Sequence, residues 1–209
     1  MLATSLPKLR ASPPADLEFS RVSQVRAFVL ERAAGNLLVY AAATMTPELA
    51  GDVSAQYLNH WHELAVGGAP SALAPLIVNE ADRAAAEDTR PVDRTFTGRA
   101  LVDDDFELIP IPGHTPGATA FLWDSGVHRM LFTGDSLYLR DGRWIAAVLE
   151  DSDRDAYIES LALIAELDFD VLVPWAASKG GPYYALTTPA ETRERIAEVI
   201  ARLERGETR

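Results

Sequence analysis

No cysteine occurs among the 209 residues, so the chain offers no disulfide, no thiolate metal ligand and no cysteine nucleophile. Basic residues are scarce: 19 Lys and Arg stand against 31 Asp and Glu, a formal net charge of -12. Phosphate backbones are gripped by clustered Lys and Arg, so nucleic acid is not expected as a partner. No apolar run approaches the ~20 residues of a membrane-spanning helix. Met1 to Asp16 hold Lys8, Arg10, Pro13 and Pro14 without a long apolar core, which predicts no secretory leader and a cytoplasmic location. Histidine is rare too, with four in all, and any metal must rest on these and on carboxylates.

What the chain does hold is 48% apolar residues, enough for a substantial core in one domain. Residues 1–20, including Ala11-Ser12-Pro13-Pro14-Ala15, read as a loose N-terminal arm, and residues 21–209 as a single domain. Ala27-Phe28-Val29-Leu30 reads as a strand, Gly35-Asn36 as a turn, and Leu37 to Ala43 as a second strand. Short apolar strands are also expected at 74–78, 99–102, 106–111, 118–123 and 130–132, with an Asp124-Ser125-Gly126 turn between the last two. Asn79 is placed to cap a small helix over 81–87. Residues 154–167 carry Tyr157, Leu161 and Ile164 at helical spacing and lead to an apolar strand, Val171-Leu172-Val173, stopped by Pro174. The last helix is signposted by Thr188 as N-cap, Pro189 at its first position and Glu191 completing a capping box. Its apolar face is Ile196, Val199, Ile200 and Leu203. Short strands with helices inserted and appended fit a layered α/β (α+β) sandwich.

Three segments carry chemistry. His60 and His62 follow the apolar stub Tyr57-Leu58, and in extended backbone residues i and i+2 face the same way, toward one ion. His114 sits in Pro112-Gly113-His114-Thr115-Pro116-Gly117, where the glycines permit tight turns and the prolines restrain the chain. Asp135 follows an apolar strand in Thr133-Gly134-Asp135-Ser136. Each alone has a plain structural reading, as a surface-loop pair, a turn histidine and a turn aspartate. Together they form a donor set of the kind zinc takes, neutral imidazole being its commonest ligand. His128, beside the Asp124-Ser125-Gly126 turn, is expected in solvent without a role.

In this order and context the three segments resemble the metal-binding signature of the metallo-β-lactamase superfamily, whose first motif reads His-x-His-x-Asp-His followed by x-Gly-Gly. The resemblance runs from the Gly35-Asn36-Leu37-Leu38 hairpin to Pro174. It implies a four-layer αββα sandwich with metal held by loops at one sheet edge. It also implies a first metal at His60, His62 and His114, with Asp135 in the place of the bridging aspartate. The positions private to a second metal read Leu64, Ala65 and, late in the chain, Ala176, none of which offers a donor. The expectation is one metal ion, zinc first and iron second. Glu63 occupies the variable slot of the motif and is expected to be exposed.

Three functions stand side by side at this point. A single-metal hydrolase would act on an ester, lactone or thioester, with Asp135 as catalytic residue as well as ligand. Persulfide dioxygenases of the same superfamily resemble this site in holding one iron through counterparts of His60, His114 and Asp135, a set suited to non-haem iron. An inactive relic of the fold would bind a ligand in the vacated second-metal space, flanked by Trp61 and Trp175 with Tyr183 and Tyr184 following, although core packing is the leading reading of these aromatics. All three take a small-molecule substrate or ligand, with neither nucleic acid nor membrane as partner. The acidic balance disfavours an anionic substrate unless Arg140 and Arg143 reverse the local charge, and both read as exposed surface arginines.

Overall fold

The computed structural model describes residues 5–68 and 72–207, so residues 1–4 of the expected arm lie outside it. Its strands begin with β1 (Leu9–Ala11), β2 (Ala15–Leu17), β3 (Ser20–Val25), β4 (Phe28–Leu30), β5 (Asn36–Val39) and β6 (Val53–Tyr57). They continue with β7 (Leu76–Asn79), β8 (Arg94–Phe96), β9 (Ala100–Val102), β10 (Phe106–Pro110), β11 (Thr119–Asp124) and β12 (Arg129–Phe132). The last are β13 (Tyr138–Arg140), β14 (Arg143–Ile145), β15 (Val171–Val173), β16 (Ala176–Ser178) and β17 (Ala185–Leu186). The helices are α1 (Pro47–Ala50), α2 (His62–Val66), α3 (Arg83–Glu87), α4 (Arg154–Ala165) and α5 (Pro189–Glu204).

Two six-stranded sheets, ordered β1-β4-β5-β6-β7-β8 and β17-β15-β12-β11-β10-β9, enclose the main core, and a five-stranded sheet ordered β14-β13-β16-β3-β2 adjoins them. The period-2 alternation of the second sheet explains its two faces. Phe121 and Trp123 of β11, Met130 and Phe132 of β12, and Val171 and Val173 of β15 point between the sheets. Their neighbours Ala120, Leu122, Leu131 and Leu172 point the other way, where α4 and α5 cover them with Tyr157, Leu161, Ile164, Ile196, Val199 and Leu203. On the far side of the first sheet, Leu64 of α2 and Ala86 of α3 pack on Leu76 and Val78. Helices, sheet, sheet and helices make the four-layer αββα sandwich. Its centre is aromatic: the rings of Phe28, Tyr40 and Phe132 lie 6.0 to 6.1 Å apart. The capping box of α5 is formed as read, Thr188 Oγ1 accepting from Glu191 N and Glu191 Oε2 from Thr188 N.

Three expectations change in the folded chain. The segment read as a loose arm supplies β1, antiparallel to β4, and β2, antiparallel to β3. Leu6, Leu9, Ala15 and Leu17 drive this by joining the inter-sheet core, and Pro13 and Pro14 mark only the crossing from one sheet to another. The strand expected over 37–43 stops at Val39, because Tyr40 takes a left-handed φ of 69° and turns the chain. The helix expected over 81–87 starts as a 3-10 turn, Glu80–Asp82, with Asn79 Oδ1 accepting from Ala81 N at 3.1 Å, and continues as α3.

This architecture places the site. β6, β10, β12 and β15 all run out at the same edge; the loops after the first three carry His60, His114 and Asp135, and Ala176 opens β16 just past β15.

Candidate metal centre

After β6 the chain passes through Leu58 and Asn59 to His60. Asn59 is tied to β11: its carbonyl accepts from Thr119 N at 2.9 Å and its Nδ2 donates to the Thr119 carbonyl. That leaves Asn59 Oδ1 facing His60 Nδ1 at 3.1 Å, so Nδ1–H donates to it and the lone pair of His60 sits on Nε2. Gly134, at φ 56°, lies against the Asn59 amide, and a Cβ there would run into Oδ1.

His62 does not reach the site as the second residue of an extended pair. It is the first residue of α2, so the helical turn aims its Nδ1 back toward His60 and His114. Trp61 lies against its ring, with centroids 4.0 Å apart. His114 arrives from the loop after β10, its Nδ1–H donating to the Ala147 carbonyl at 2.7 Å, which puts its lone pair on Nε2. His62 Nδ1 and His114 Nε2 lie 3.1 Å apart, and one donor atom from each of the three histidines falls within a 4.8 Å group. Nitrogens about 2.0–2.1 Å from a tetrahedral zinc ion stand roughly 3.3 Å from one another, so this spacing is that of a ligand set. Burial lowers the pKa of His60 well below its usual value, with His114 and His62 adding to the shift; burial also lowers His62, and takes His114 to about 4. All three rings are neutral near pH 7, the form that binds metal. His60 Nε2 is buried without a hydrogen-bond partner among the described residues, as expected of an atom shaped to meet an ion.

Asp135 adjoins this set. Its Oδ2 is 3.8 Å from His60 Nε2, its Oδ1 is buried without a partner, and burial raises its pKa to about 7. The loop that carries it is braced by Tyr157 of α4, whose hydroxyl donates to the carbonyls of Asp135 and Ser136 at 3.1 and 2.9 Å. The His114 loop is held from the same helix start, where Asp153 N donates to Gly113 O and Ser152 Oγ to His114 O.

Two carboxylates that sequence reading passed over hold the floor. Glu63 is not exposed but fully buried. Its Oε1 accepts from Asn59 N at 2.8 Å and His60 N at 3.3 Å, and its Oε2 from Ala41 N at 3.0 Å, which stitches the His60 loop to the chain after β5. Burial holds its pKa well above the ordinary carboxylate value, against the pull of those donors. Asp82 accepts from Trp61 N at 3.1 Å, Thr115 Oγ1 at 2.7 Å and Gly117 N at 2.7 Å, joining the first histidine loop to the second. Gly117 is needed there because a Cβ would meet Asp82 at 2.6 to 2.7 Å. Neither carboxylate announces itself in the sequence, since Glu63 needs Ala41 N and Asp82 needs Trp61 N, Thr115 Oγ1 and Gly117 N, all brought in from other segments.

A cleft of about 310 Å³ opens onto the set and is lined by His62, His114 and Asp135 together with residues of the β2–β3 and β13–β14 hairpins. Ala176 lines it, Ala65 is exposed, and Leu64 is buried in the outer core under α2. Trp175 does not line the cleft. Its indole is buried, 5.5 Å from the His60 ring, with Nε1 donating to Ala41 O at 2.7 Å. Tyr183 packs on Phe28 and Tyr184 lies in the inter-sheet core, so these aromatics follow the core-packing reading rather than that of a pocket lining. Arg140 lines the cleft and is half-buried, against expectation, and Arg143 is exposed. His128 is half-buried and pairs with Asp170 at 2.8 Å, at the opposite end of β12 from Asp135.

Residues 34–176 match the family model described as the metallo-beta-lactamase superfamily. The chain belongs to that superfamily. Solved structures of similar fold include ST1585 from Sulfolobus tokodaii, described as an archaeal metallo-beta-lactamase superfamily protein, at 18% identity and a TM-score of 0.67 over 96% of this chain and 95% of that one. The metallo-beta-lactamase FIM-1 from Pseudomonas aeruginosa, in its mono-zinc form, aligns at 15% identity and a TM-score of 0.72 over 97% of this chain and 93% of that one. A metallo-beta-lactamase from Pontibacter korlensis aligns at 16% identity and a TM-score of 0.71 over 97% of each chain. No curated protein matches in sequence. At such identities the likeness to the superfamily's solved members is one of fold.

Proposed function

We propose that the protein is a single-metal hydrolase of the superfamily, acting on an ester, lactone or thioester, with zinc at His60, His62 and His114 and Asp135 beside it. The observation that carries this reading is the set of three lone pairs, on His60 Nε2, His62 Nδ1 and His114 Nε2, two of them fixed by the partner of the other ring nitrogen. The mono-zinc form in which FIM-1 is described supports one ion as a workable state of such a fold. Leu64, Ala65 and Ala176 provide no second donor set, which favours one ion over two. Three neutral imidazoles favour zinc over the two-histidine, one-carboxylate arrangement of an iron oxygenase.

A bound zinc ion supplies Lewis acidity, polarising an acyl oxygen and acidifying water. The chain's own part is positional and protonic. Asn59 and Ala147 hold the His60 and His114 rings in the ligating tautomer. Asp135, with Oδ1 unpartnered and Oδ2 3.8 Å from His60 Nε2, is placed to take a proton during attack and return it to the leaving group.

Metal analysis of the purified protein, paired with a panel of ester, lactone and thioester substrates, tests this. One zinc per chain, and turnover lost in both His114→Ala and zinc-stripped protein, is the expected result. Protein that takes up neither zinc nor ferrous iron sinks the reading, and iron with oxygen uptake replaces it with the oxygenase.

A further inference from the structure

The three histidines of the set are not held alike. His114 gives its second ring N–H to a backbone carbonyl, and His62 Nε2 has no hydrogen-bond partner among the described residues. Behind His60 stands a carboxylate. Glu63 Oε1 lies 3.3 Å from His60 Nδ1, next to the Asn59 oxygen that takes that N–H, and both side chains are wholly shielded from solvent. An acid early in a short helix has an ordinary use as a cap, yet Glu63 caps nothing in α2. Its oxygens go to the N–H groups of Ala41, Asn59 and His60, all outside that helix. Taking a carboxylate out of water is costly, and neutral backbone donors do not require an anion, since an amide or hydroxyl oxygen also serves them.

The surroundings fix the carboxylate and the ring against each other. Ala41 N donates to Glu63 Oε2 at 3.0 Å and Ala41 O accepts from Trp175 Nε1 at 2.7 Å, so the buried Ala41 backbone is clamped between the carboxylate and the indole. That indole stands T-shaped to the His60 ring with centroids 5.5 Å apart, and the His114 ring closes another side at 4.7 Å. Walled in this way, the His60 ring keeps Nδ1 toward Glu63 and Nε2 toward the donor set. A negative charge beside Nδ1–H draws on that proton and moves electron density toward Nε2, which makes the lone pair there a stronger donor to a cation.

We infer that Glu63 is a positioning residue of the metal centre: its carboxylate, set behind His60 Nδ1, strengthens and aims His60 Nε2 as a ligand. A divalent cation in the three-histidine set is then answered by a buried anion on the far side of one ring. Glu63 adds no donor atom to the set, and its charge acts through His60. This rests on the metal site of the reading above and not on hydrolysis.

The test compares Glu63→Gln, which keeps the size and loses the charge, with Glu63→Asp, which keeps the charge and is a methylene shorter. Zinc affinity is read by chelator competition, and the histidine rings by heteronuclear NMR of the zinc-loaded protein. Glu63→Gln should bind zinc about tenfold more weakly, the lower end of what a lost outer partner costs a metal site. The ring signals of His60 should move while those of His62 and His114 hold. Glu63→Asp should keep more affinity than Glu63→Gln. A role in packing and backbone bonding alone predicts the reverse order, with the isosteric variant binding better, and that order overturns the inference. So do His60 signals that Glu63→Gln leaves in place. If circular dichroism shows that Glu63→Gln does not fold, Glu63→Asp carries the test through the same signals: movement at His60 alone supports the inference, and movement at all three rings or at none overturns it. Wild type that takes up zinc but hydrolyses no ester, lactone or thioester would refute the hydrolase and leave this inference standing. Wild type that takes up no zinc overturns both.

Discussion

The floor and the mouth of the cleft are built by opposite rules. On the floor, His60 and His114 are 1% exposed, and beneath them Glu63 and Asp82 each accept three hydrogen bonds from loops far apart in sequence. Among the described residues, the buried polar side-chain atoms left there without a partner are His60 Nε2, the neighbouring Oδ1 of Asp135 and Ser136 Oγ. At the mouth Phe19, Val22, Val66 and Leu149 are exposed, and Arg140 has no hydrogen-bond or ion-pair partner among the described residues. The difference teaches a division of labour. Over-determined hydrogen bonding holds ligand lone pairs within tenths of an ångström, while a mouth with few fixed contacts keeps its free energy for whatever binds.

The contrast breaks first where the donor set itself is cut. His114→Ala should abolish stoichiometric zinc binding in dialysis against trace metal while the circular dichroism spectrum stays native. Retained zinc would remove His114 from the set. Next in size is Glu63→Ala, which leaves the N–H groups of Ala41, Asn59 and His60 buried without an acceptor. A loss of about 3–4 kcal/mol in denaturant unfolding of the metal-free protein is expected. A change below about 1 kcal/mol would mean that water or a loop shift replaces the carboxylate. Asp82→Ala unties Trp61 from Thr115 and Gly117, and should cost about 2–3 kcal/mol together with roughly tenfold in zinc affinity. Loss of stability without loss of affinity would show that the two histidine loops keep their spacing by other means. Asn59→Ala frees the His60 ring, and a competition titration should show zinc affinity about tenfold weaker with the other ligands intact. The smallest effect belongs to the mouth. Phe19→Ser should shift unfolding by no more than about 0.5 kcal/mol and leave zinc affinity as it was, since the ring contributes to no core.

The same division separates what the residues announce from what they conceal. The four site side chains, the capping box of α5 and the alternating strands β10 to β12 are local patterns: spacing, turn glycines and period-2 apolarity carry them in a few consecutive residues. The buried state of Glu63 depends on Ala41 and Asn59 arriving together. The anchoring by Asp82 depends on a loop more than thirty residues further along. Trp175 reads equally well as pocket wall or core until β15 is seen to deliver it beside Ala41.

By itself, then, the sequence determined that the chain has no thiol chemistry, that it carries the family's first donor set, and that β10 to β12, β15, α4 and α5 form, because composition and short-range periodicity act through neighbours in the chain. Only the tertiary structure decided that a helical turn rather than an extended pair aims His62, that Glu63 and Asp82 lie under the metal set, and that Arg140 shares a cleft with Phe19. Each of these is a meeting of side chains from distant segments, and no local pattern encodes such a meeting.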